Sequence, residues 1–251
     1  MEGTFFWVLA VLAAATVGAG KGGLPIVGML AVPILSLAIS PVVAAGMLLP
    51  VYVISDVFGL YAYRREFDRR VLVIACVGMT VGVGVGWATA SLVSEAAVTL
   101  LVGVVGLSFA LNLLVRRRVV VEPQRAEWSK GLFWTSIAGF TSFVSHSGAP
   151  PYQVFTLPLG MRKAVFAGTS TIAFAYVNAL KLIPYYFLGQ LSAENLWHAA
   201  MLMPVAAVSV FAGVWIVRRL PEKLFFQLVT WALLLISVKL VWDGIAGLST
   251  G

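Results

Sequence analysis

The chain has 251 residues, of which 61% are hydrophobic and 11% are charged, and its net charge is +7. Its mean hydropathy is +0.98, whereas soluble domains carry about 25% charged residues. Apolar runs long enough for a hydrocarbon core of about 30 Å occupy the whole length, which excludes a separate soluble domain. The single cysteine, Cys76, lies inside such a run, which excludes disulfides and cysteine-based metal sites.

The apolar runs predict helices of two lengths along the chain. In chain order they are short limbs at about 5–19 and 24–39, long helices at about 41–63, 70–91 and 95–115, short limbs at about 131–145 and 151–161, and long helices at about 163–188, 194–217 and 222–247. Pro50, Pro184 and Pro204 fall inside long helices and should kink them.

Each pair of short limbs is interrupted by a glycine- and proline-rich break. The first break, at 17–25, reads VGAGKGGLP, and the second, at 144–151, reads VSHSGAPP. Interrupted apolar segments at corresponding positions of two halves are the best sequence indication of a binding site in a transporter.

The two halves look duplicated, because equivalent residues follow one another at nearly constant spacing. The equivalent pairs are Gly23 and Gly148, Pro25 and Pro150, Pro33 and Pro158, Gly46 and Gly168, Asp56 and Asn178, Gly86 and Gly213, and Glu95 and Glu222. We therefore predict one transmembrane domain over 1–251, with repeat one at about 1–115, a cytoplasmic linker at about 116–130 and repeat two at about 131–251.

The basic residues indicate that the repeats are inverted. Short loops rich in Lys and Arg stay cytoplasmic. The loop after helix 41–63 holds four arginines and its counterpart at 189–194 has no Lys or Arg, whereas the turn at 92–96 has none and its counterpart at 218–223 has three. This clustering in loops argues against nucleic acid as a partner, and it places both termini outside the cell.

The predicted fold is an all-α integral membrane protein with two inverted repeats. Each repeat has a re-entrant helical hairpin, at 5–39 or 131–161, followed by about three transmembrane helices, and the hairpin tips meet near the bilayer midplane. Counting every apolar limb as a crossing is the alternative. No cofactor and no metal site are predicted.

Lys21 at the first tip indicates an anion site. A buried ammonium costs roughly 3 kcal/mol on the insertion scale, and the limb that begins near Leu24 would direct a positive helix end at the same point. Gly20, Gly22 and Gly23 allow the backbone to approach a ligand closely. The alternative is that Lys21 snorkels to a surface or pairs with Asp56.

The second tip carries Ser145, His146, Ser147 and Gly148. Its hydroxyl groups and imidazole can donate hydrogen bonds to an oxyanion, and the imidazole can carry a proton. The alternative for His146 is a buried packing role.

Three further polar residues lie inside apolar helices. Asp56 is a candidate proton-coupling residue or the counter-ion of Lys21. Its equivalent Asn178 precedes Lys181, which either contacts the anion or snorkels outward beside Tyr185.

The remaining polar and small residues indicate structural roles. The spacing of Lys239 and Asp243 permits an ion pair, and His198 is interpreted as an ordinary interfacial residue. The ridge formed by Gly78, Gly82, Gly84 and Gly86 suits close helix packing.

The two breaks, G-x-G-G-x-P-like and S-x-G-x-P-like, resemble the sulfite exporter family TauE/SafE, also called the 4-toluene sulfonate uptake permeases, over essentially the whole chain. The resemblance implies a small inner-membrane carrier of sulfite, thiosulfate, sulfonates or sulfonated carboxylates, coupled to or assisted by protons. It also implies that 20–25 and 145–151 form the central site.

The sequence therefore predicts a secondary transporter, not an enzyme, that exports a small sulfur oxyanion by alternating access. Its partners are that anion, protons and the bilayer. A passive anion channel is one alternative. An intramembrane Ser/His hydrolase is another, although adjacent side chains diverge and make a poor nucleophile–base pair.

Overall fold

The computed structural model describes residues 3–90, 92, 94–115 and 123–249. This part of the chain is helical and contains no β-strand. The helices are α1 (Thr4–Lys21), α2 (Pro25–Gly28), α3 (Ala31–Leu35), α4 (Pro41–Tyr63), α5 (Arg69–Ala88), α6 (Glu95–Val115), α7 (Trp128–Ser145), α8 (Ala149–Thr156), a 3₁₀ turn (Leu157–Leu159), α9 (Lys163–Phe187), α10 (Ala193–Arg219) and α11 (Glu222–Ser249).

The six long helices predicted from the sequence are present with bounds that differ by at most three residues. Within the described residues, seven helices are long and apolar enough to cross a membrane, and α1 is one of them together with α4, α5, α6, α9, α10 and α11. The predicted linker is shorter than expected because α7 begins at Trp128. Residues 116–122 of that linker, including Arg116, Arg117 and Arg118, lie outside the described residues.

Side-chain hydrogen bonds cap the starts of two helices. Asp68 accepts a hydrogen bond from the Val71 N–H at 2.9 Å and caps the start of α5. Ser192 accepts one from the Asn195 N–H at 3.1 Å and caps α10. These bonds satisfy N–H groups that have no partner within the first turn. Pro50, Pro184 and Pro204 lie inside helices, as predicted.

The described chain divides into two compact units, and each draws helices from both halves of the sequence. The first unit spans 1–67 and 164–220, and the second spans 68–163 and 221–251. The units do not coincide with the predicted repeats, because α1 packs on α10 in the first unit and α7 packs on α5 in the second.

Small residues bring α1 against α10 in the first unit. A Cβ atom on Gly22 would lie 2.6 Å from Gly213 Cα, and one on Gly18 would lie 2.7 Å from Ser209 Cβ. Such short spacing leaves room for hydrogen only, as in close helix contacts of membrane proteins. The contact continues along α1 into a core of small and aliphatic residues that includes Ala10.

The glycine ridge of α5 packs against α7 in the second unit, which confirms its predicted packing role. Added Cβ atoms on Gly78, Gly82 and Gly86 would each collide with α7, the last at 2.7 Å from the Phe143 ring. Gly84 differs from the prediction, because nothing lies within 4 Å of the position of its Cβ.

Alanine substitutions in this ridge should have opposite effects on stability. Gly82→Ala should lower the free energy of unfolding of the purified protein by about 1–3 kcal/mol, because the new methyl group would overlap the α7 backbone at Ser136 and Phe140. Gly84→Ala should raise it by up to about 1 kcal/mol, because alanine is the better helix former. Thermal unfolding in detergent measures both, and equal shifts would contradict the packing described here.

Candidate functional site

Two glycines that follow Lys21 build the break after α1. The Gly22 N–H donates to Gly18 O at 2.9 Å, and Gly23 has a φ of 109°, which side-chain-bearing residues rarely adopt. A Cβ atom on Gly23 would also lie 2.5 Å from the Tyr63 hydroxyl oxygen. The Gly-Gly pair therefore ends the helix and leaves Lys21 as its last residue.

Lys21 is buried and forms an ion pair with Asp56 of α4. Lys21 Nζ lies 2.6 Å from Asp56 Oδ1, and Asn178 of α9 donates its amide to Asp56 Oδ2 at 2.9 Å. Lys181, almost one turn further along α9, interacts electrostatically with both Lys21 and Asp56. We call these four residues the charged cluster, and all of them belong to the first unit.

One face of α4 holds both the cluster and the break. Tyr52, one turn before Asp56, donates its hydroxyl to Gly28 O at 2.5 Å, and Tyr63, two turns after it, donates to Gly22 O at 2.7 Å. Sequence reasoning missed both tyrosines, although their spacing from Asp56 places all three on the same helix face. The two hydrogen bonds hold the backbone at Gly22, in the break, and at Gly28, the last residue of α2.

Gly59 allows the backbone of Lys21 to approach α4. A Cβ atom there would lie 3.0 Å from Lys21 O and 2.7 Å from Thr171 Cγ2. The Thr171 hydroxyl of α9 donates to the same carbonyl oxygen at 3.3 Å. Lys21 is therefore positioned by α4 from the first half of the chain and by α9 from the second.

Counted with each side chain in its ordinary ionised form, the charged cluster carries a formal net charge of +1. Among the residues with described side chains, the buried Asp, Glu, Lys and Arg residues are Lys21, Asp56 and Lys181, at 5%, 4% and 0% exposure. The alternative in which Lys181 snorkels outward is therefore wrong. Removing an ion from water costs several kcal/mol, so a buried excess of one cation favours the entry of an anion.

The short limb predicted at 24–39 differs from the structure. Residues 24–39 do not form one helix, because α2 has four residues and α3 has five. A single turn aligns too few peptide dipoles to give the expected positive helix end. The positive potential at this break therefore comes from the two lysine side chains.

The second break, in the second unit, is built around a strained histidine. His146 ends α7 with a φ of 55°, a conformation that costs a non-glycine residue about 1–3 kcal/mol. Its N–H donates to Ser142 O and the Ser147 N–H donates to Thr141 O, both at 3.2 Å. His146 is buried, so the structure holds an uncommon backbone conformation at a predicted site residue.

The serine hydroxyls of this break donate to the backbone. Ser145 Oγ donates to Thr141 O at 3.4 Å, and Ser147 Oγ donates to Ser145 O at 3.2 Å. A hydroxyl has one proton to donate, so each group would have to rotate before it could donate to an oxyanion. Gly148 immediately precedes α8 and has no side chain with which to cap it.

Sequence reasoning missed Gln153 of α8. This side chain is fully buried, and neither of its amide atoms has a hydrogen-bond partner among the described residues. Each unsatisfied buried group costs about 1–3 kcal/mol, so a water molecule, an ion or a ligand that bonds this amide would be stabilising. The sequence feature that could have identified Gln153 is a single amide side chain within an apolar limb.

Lys239 and His198 have structural contacts. Lys239 pairs with Asp243 on the exposed face of α11, as predicted. The His198 ring packs 5.7 Å from the ring of Phe6 and 5.6 Å from that of Trp7. Within the described ranges, no group of three His, Cys, Asp or Glu residues could hold a metal ion.

The described part of the chain has seven apolar helices with charged residues buried among them, which is typical of a multi-pass membrane transport protein. The chain belongs to the sulfite exporter TauE/SafE family, whose model matches residues 6–240, nearly the whole chain. The resemblance expected from the two breaks is thereby confirmed, and the family is one of membrane transporters. Comparisons with the curated proteins and with the solved structures found no match.

Proposed function

We propose that this protein is a secondary transporter that exports a small sulfur oxyanion, such as sulfite or an organosulfonate. The observation that carries the proposal is the buried charged cluster, in which Lys21 pairs with Asp56 and a second buried lysine, Lys181, interacts electrostatically with both. Charge-assisted hydrogen bonds from an ammonium group to an oxyanion are about twice as strong as neutral ones. Family membership supports the same class of substrate.

We assign the substrate contacts to the following residues. In the first unit they are Gly20, Lys21, Gly22, Gly23, Asn178 and Lys181, and in the second unit Ser145, His146, Ser147 and Gly148 form a further anion-binding position. The buried, strained His146 supports that second assignment. Gln153 joins it as a proposed ligand, because its buried amide lacks a hydrogen-bond partner among the described residues.

Burial of the charged cluster favours a carrier that alternates its access over a passive channel. Lys21, Asp56 and Lys181 are all buried, so an anion reaches them only after a conformational change. Sulfite-loaded proteoliposomes test this directly. Saturable uptake of labelled sulfite, stimulated by unlabelled sulfite inside, is the expected result, and a linear flux without counterflow would establish a channel.

We further propose that Asp56 or His146 carries a coupling proton. If Asp56 is that carrier, Asp56→Asn should abolish accumulation of sulfite driven by a pH gradient, because an amide cannot carry the proton, while sulfite exchange continues. Uptake and exchange are measured on the same proteoliposomes, with His146→Gln tested in parallel and Asp243→Asn as the exposed control. Unchanged pH-driven uptake in both variants would leave Asp56 as the structural counter-ion of Lys21.

We also propose an inverted repeat with a re-entrant hairpin in each half, located in the cell inner membrane with both termini outside. The exchange of α1 and α7 between the halves supports it, because each packs on a helix of the other repeat.

Cysteine labelling tests this orientation. Single cysteines introduced in a Cys76→Ala background should react with a membrane-impermeant reagent either from outside or only from inside. The expected outside positions are Ser94, Gly189 and Ser249, and the expected inside positions are Arg117 and Glu222. Outside labelling at Arg117 would refute the orientation.

A further inference from the structure

A cavity of about 340 Å³ lies in the first unit where α4 and α10 both end. Three arginines line it, namely Arg64 and Arg65 after α4 and Arg218 in the last turn of α10, together with Glu66. The cavity therefore carries a net charge of +2. Its basic side chains lie beside helix C-termini, where cations are favoured.

Two of the arginine side chains are held in place at this cavity. Arg64 donates to Tyr61 O at 3.0 Å, and its guanidinium lies 4.3 Å from the centre of the Tyr61 ring. Arg218 donates to Ala62 O at 3.4 Å. A guanidinium has five N–H donors in a planar fork that matches a phosphate group. Because both side chains are already held, a ligand would lose less side-chain conformational entropy on binding.

The other wall of the cavity is apolar and partly exposed. Phe211 and Val214 of α10 line it; Phe211 is 50% exposed, whereas Val214 is buried. Phe211, Val214 and Arg218 are spaced three and four residues apart and so lie on one face of the helix. A ligand that matches this surface has an anionic head at the arginines and an apolar tail along α10.

We propose that this cavity binds the headgroup of an anionic phospholipid. A soluble oxyanion would satisfy the arginines but leave the half-exposed Phe211 ring uncovered, whereas a phospholipid contacts the arginines with its headgroup and Phe211 with an acyl chain. Basic pockets between transmembrane helices bind anionic headgroups in this way, and the bilayer around a multi-pass protein supplies the lipid. The site does not depend on the transport function proposed above, since it shares no residue with the charged cluster.

Native mass spectrometry of the purified full-length protein tests the site by counting retained lipid. The delipidated protein is mixed with equal amounts of phosphatidylglycerol and phosphatidylcholine, and we expect preferential retention of phosphatidylglycerol. Arg218→Gln should reduce that retention about tenfold, because one charge-assisted contact to the phosphate is lost. Arg218→Lys should retain part of it, because the charge stays and the planar fork is lost.

Arg219→Gln is the matched control. Arg219 is the next residue, but its guanidinium lies 4.4 Å from the centre of the Trp215 ring and it does not line the cavity. We expect it to retain phosphatidylglycerol as the parent does. Equal losses for Arg218→Gln and Arg219→Gln would indicate general surface charge and overturn the proposal. No preference over phosphatidylcholine, or full displacement by millimolar inorganic phosphate, would also overturn it.

Discussion

Asp56→Leu is expected to destabilise the protein by about 3–5 kcal/mol. The substitution would leave Lys21 without its ion-pair partner at 2.6 Å and would remove the acceptor for the Asn178 amide. Breaking a buried ion pair by deleting one partner has an effect of this size, because the other charge stays buried. Thermal and denaturant unfolding of purified protein in detergent would measure it.

The double variant Lys21→Met with Asp56→Leu should recover most of that loss. It removes both charges of the pair, and replacing a buried ion pair by apolar side chains is often close to neutral. The net charge of the cluster also stays at +1, carried by Lys181. Asp243→Leu is the matched control, because its pair with Lys239 is exposed and should contribute at most about 1 kcal/mol. A loss at Asp56 no larger than that at Asp243 would contradict the buried pair.

The long helices were predictable because hydropathy and length determine them. The end of α1 was also predictable, since Gly22 and Gly23 cannot continue a helix well. The break between α2 and α3 was not predicted, although Gly28 and Pro33 on either side of it disfavour a continuous helix.

The candidate site was predictable in its residues but not in its contacts. The sequence placed Lys21 and Asp56 inside apolar segments, yet it left open whether they pair, because that depends on the rotation of α4 about its axis. The Tyr52 and Tyr63 hydrogen bonds join α4 to distant carbonyl groups. Contacts of this kind follow from packing between helices far apart in sequence, which helical periodicity does not report.

The division into two compact units was not predictable for the same reason, because it depends on packing between helices far apart in sequence. Sequence repeats describe how the chain is ordered, whereas close packing depends on which surfaces fit. Gly18 and Gly22 fit α10, and Gly78 and Gly82 fit α7, so each compact unit combines helices from both halves. The glycines were visible in the sequence, but their partner helices were not.

Substitutions that change the net charge of the cluster should change its affinity for sulfite in the order of that charge. Lys181→Gln and Lys21→Gln reduce the net charge from +1 to 0, and each should weaken sulfite binding roughly 10- to 150-fold, which corresponds to losing about 1.5–3 kcal/mol from one charge-assisted contact. Asp56→Asn raises the charge to +2, so it should bind sulfite at least as tightly as the parent. Titration calorimetry on purified variants, at one pH and one ionic strength, measures the three affinities.

The order of the affinities, more than any single value, tests whether net charge attracts the substrate. A variant that only disturbs packing would weaken binding whatever the sign of the charge it removes, so Asp56→Asn separates the two causes. Lys239→Gln is the control, because it removes a lysine that pairs with Asp243 on an exposed surface, and it should bind sulfite as the parent does. If Lys21→Gln binds as tightly as the parent while Lys239→Gln does not, or if Asp56→Asn binds more weakly than both cluster lysine variants, the charged cluster is not the anion site.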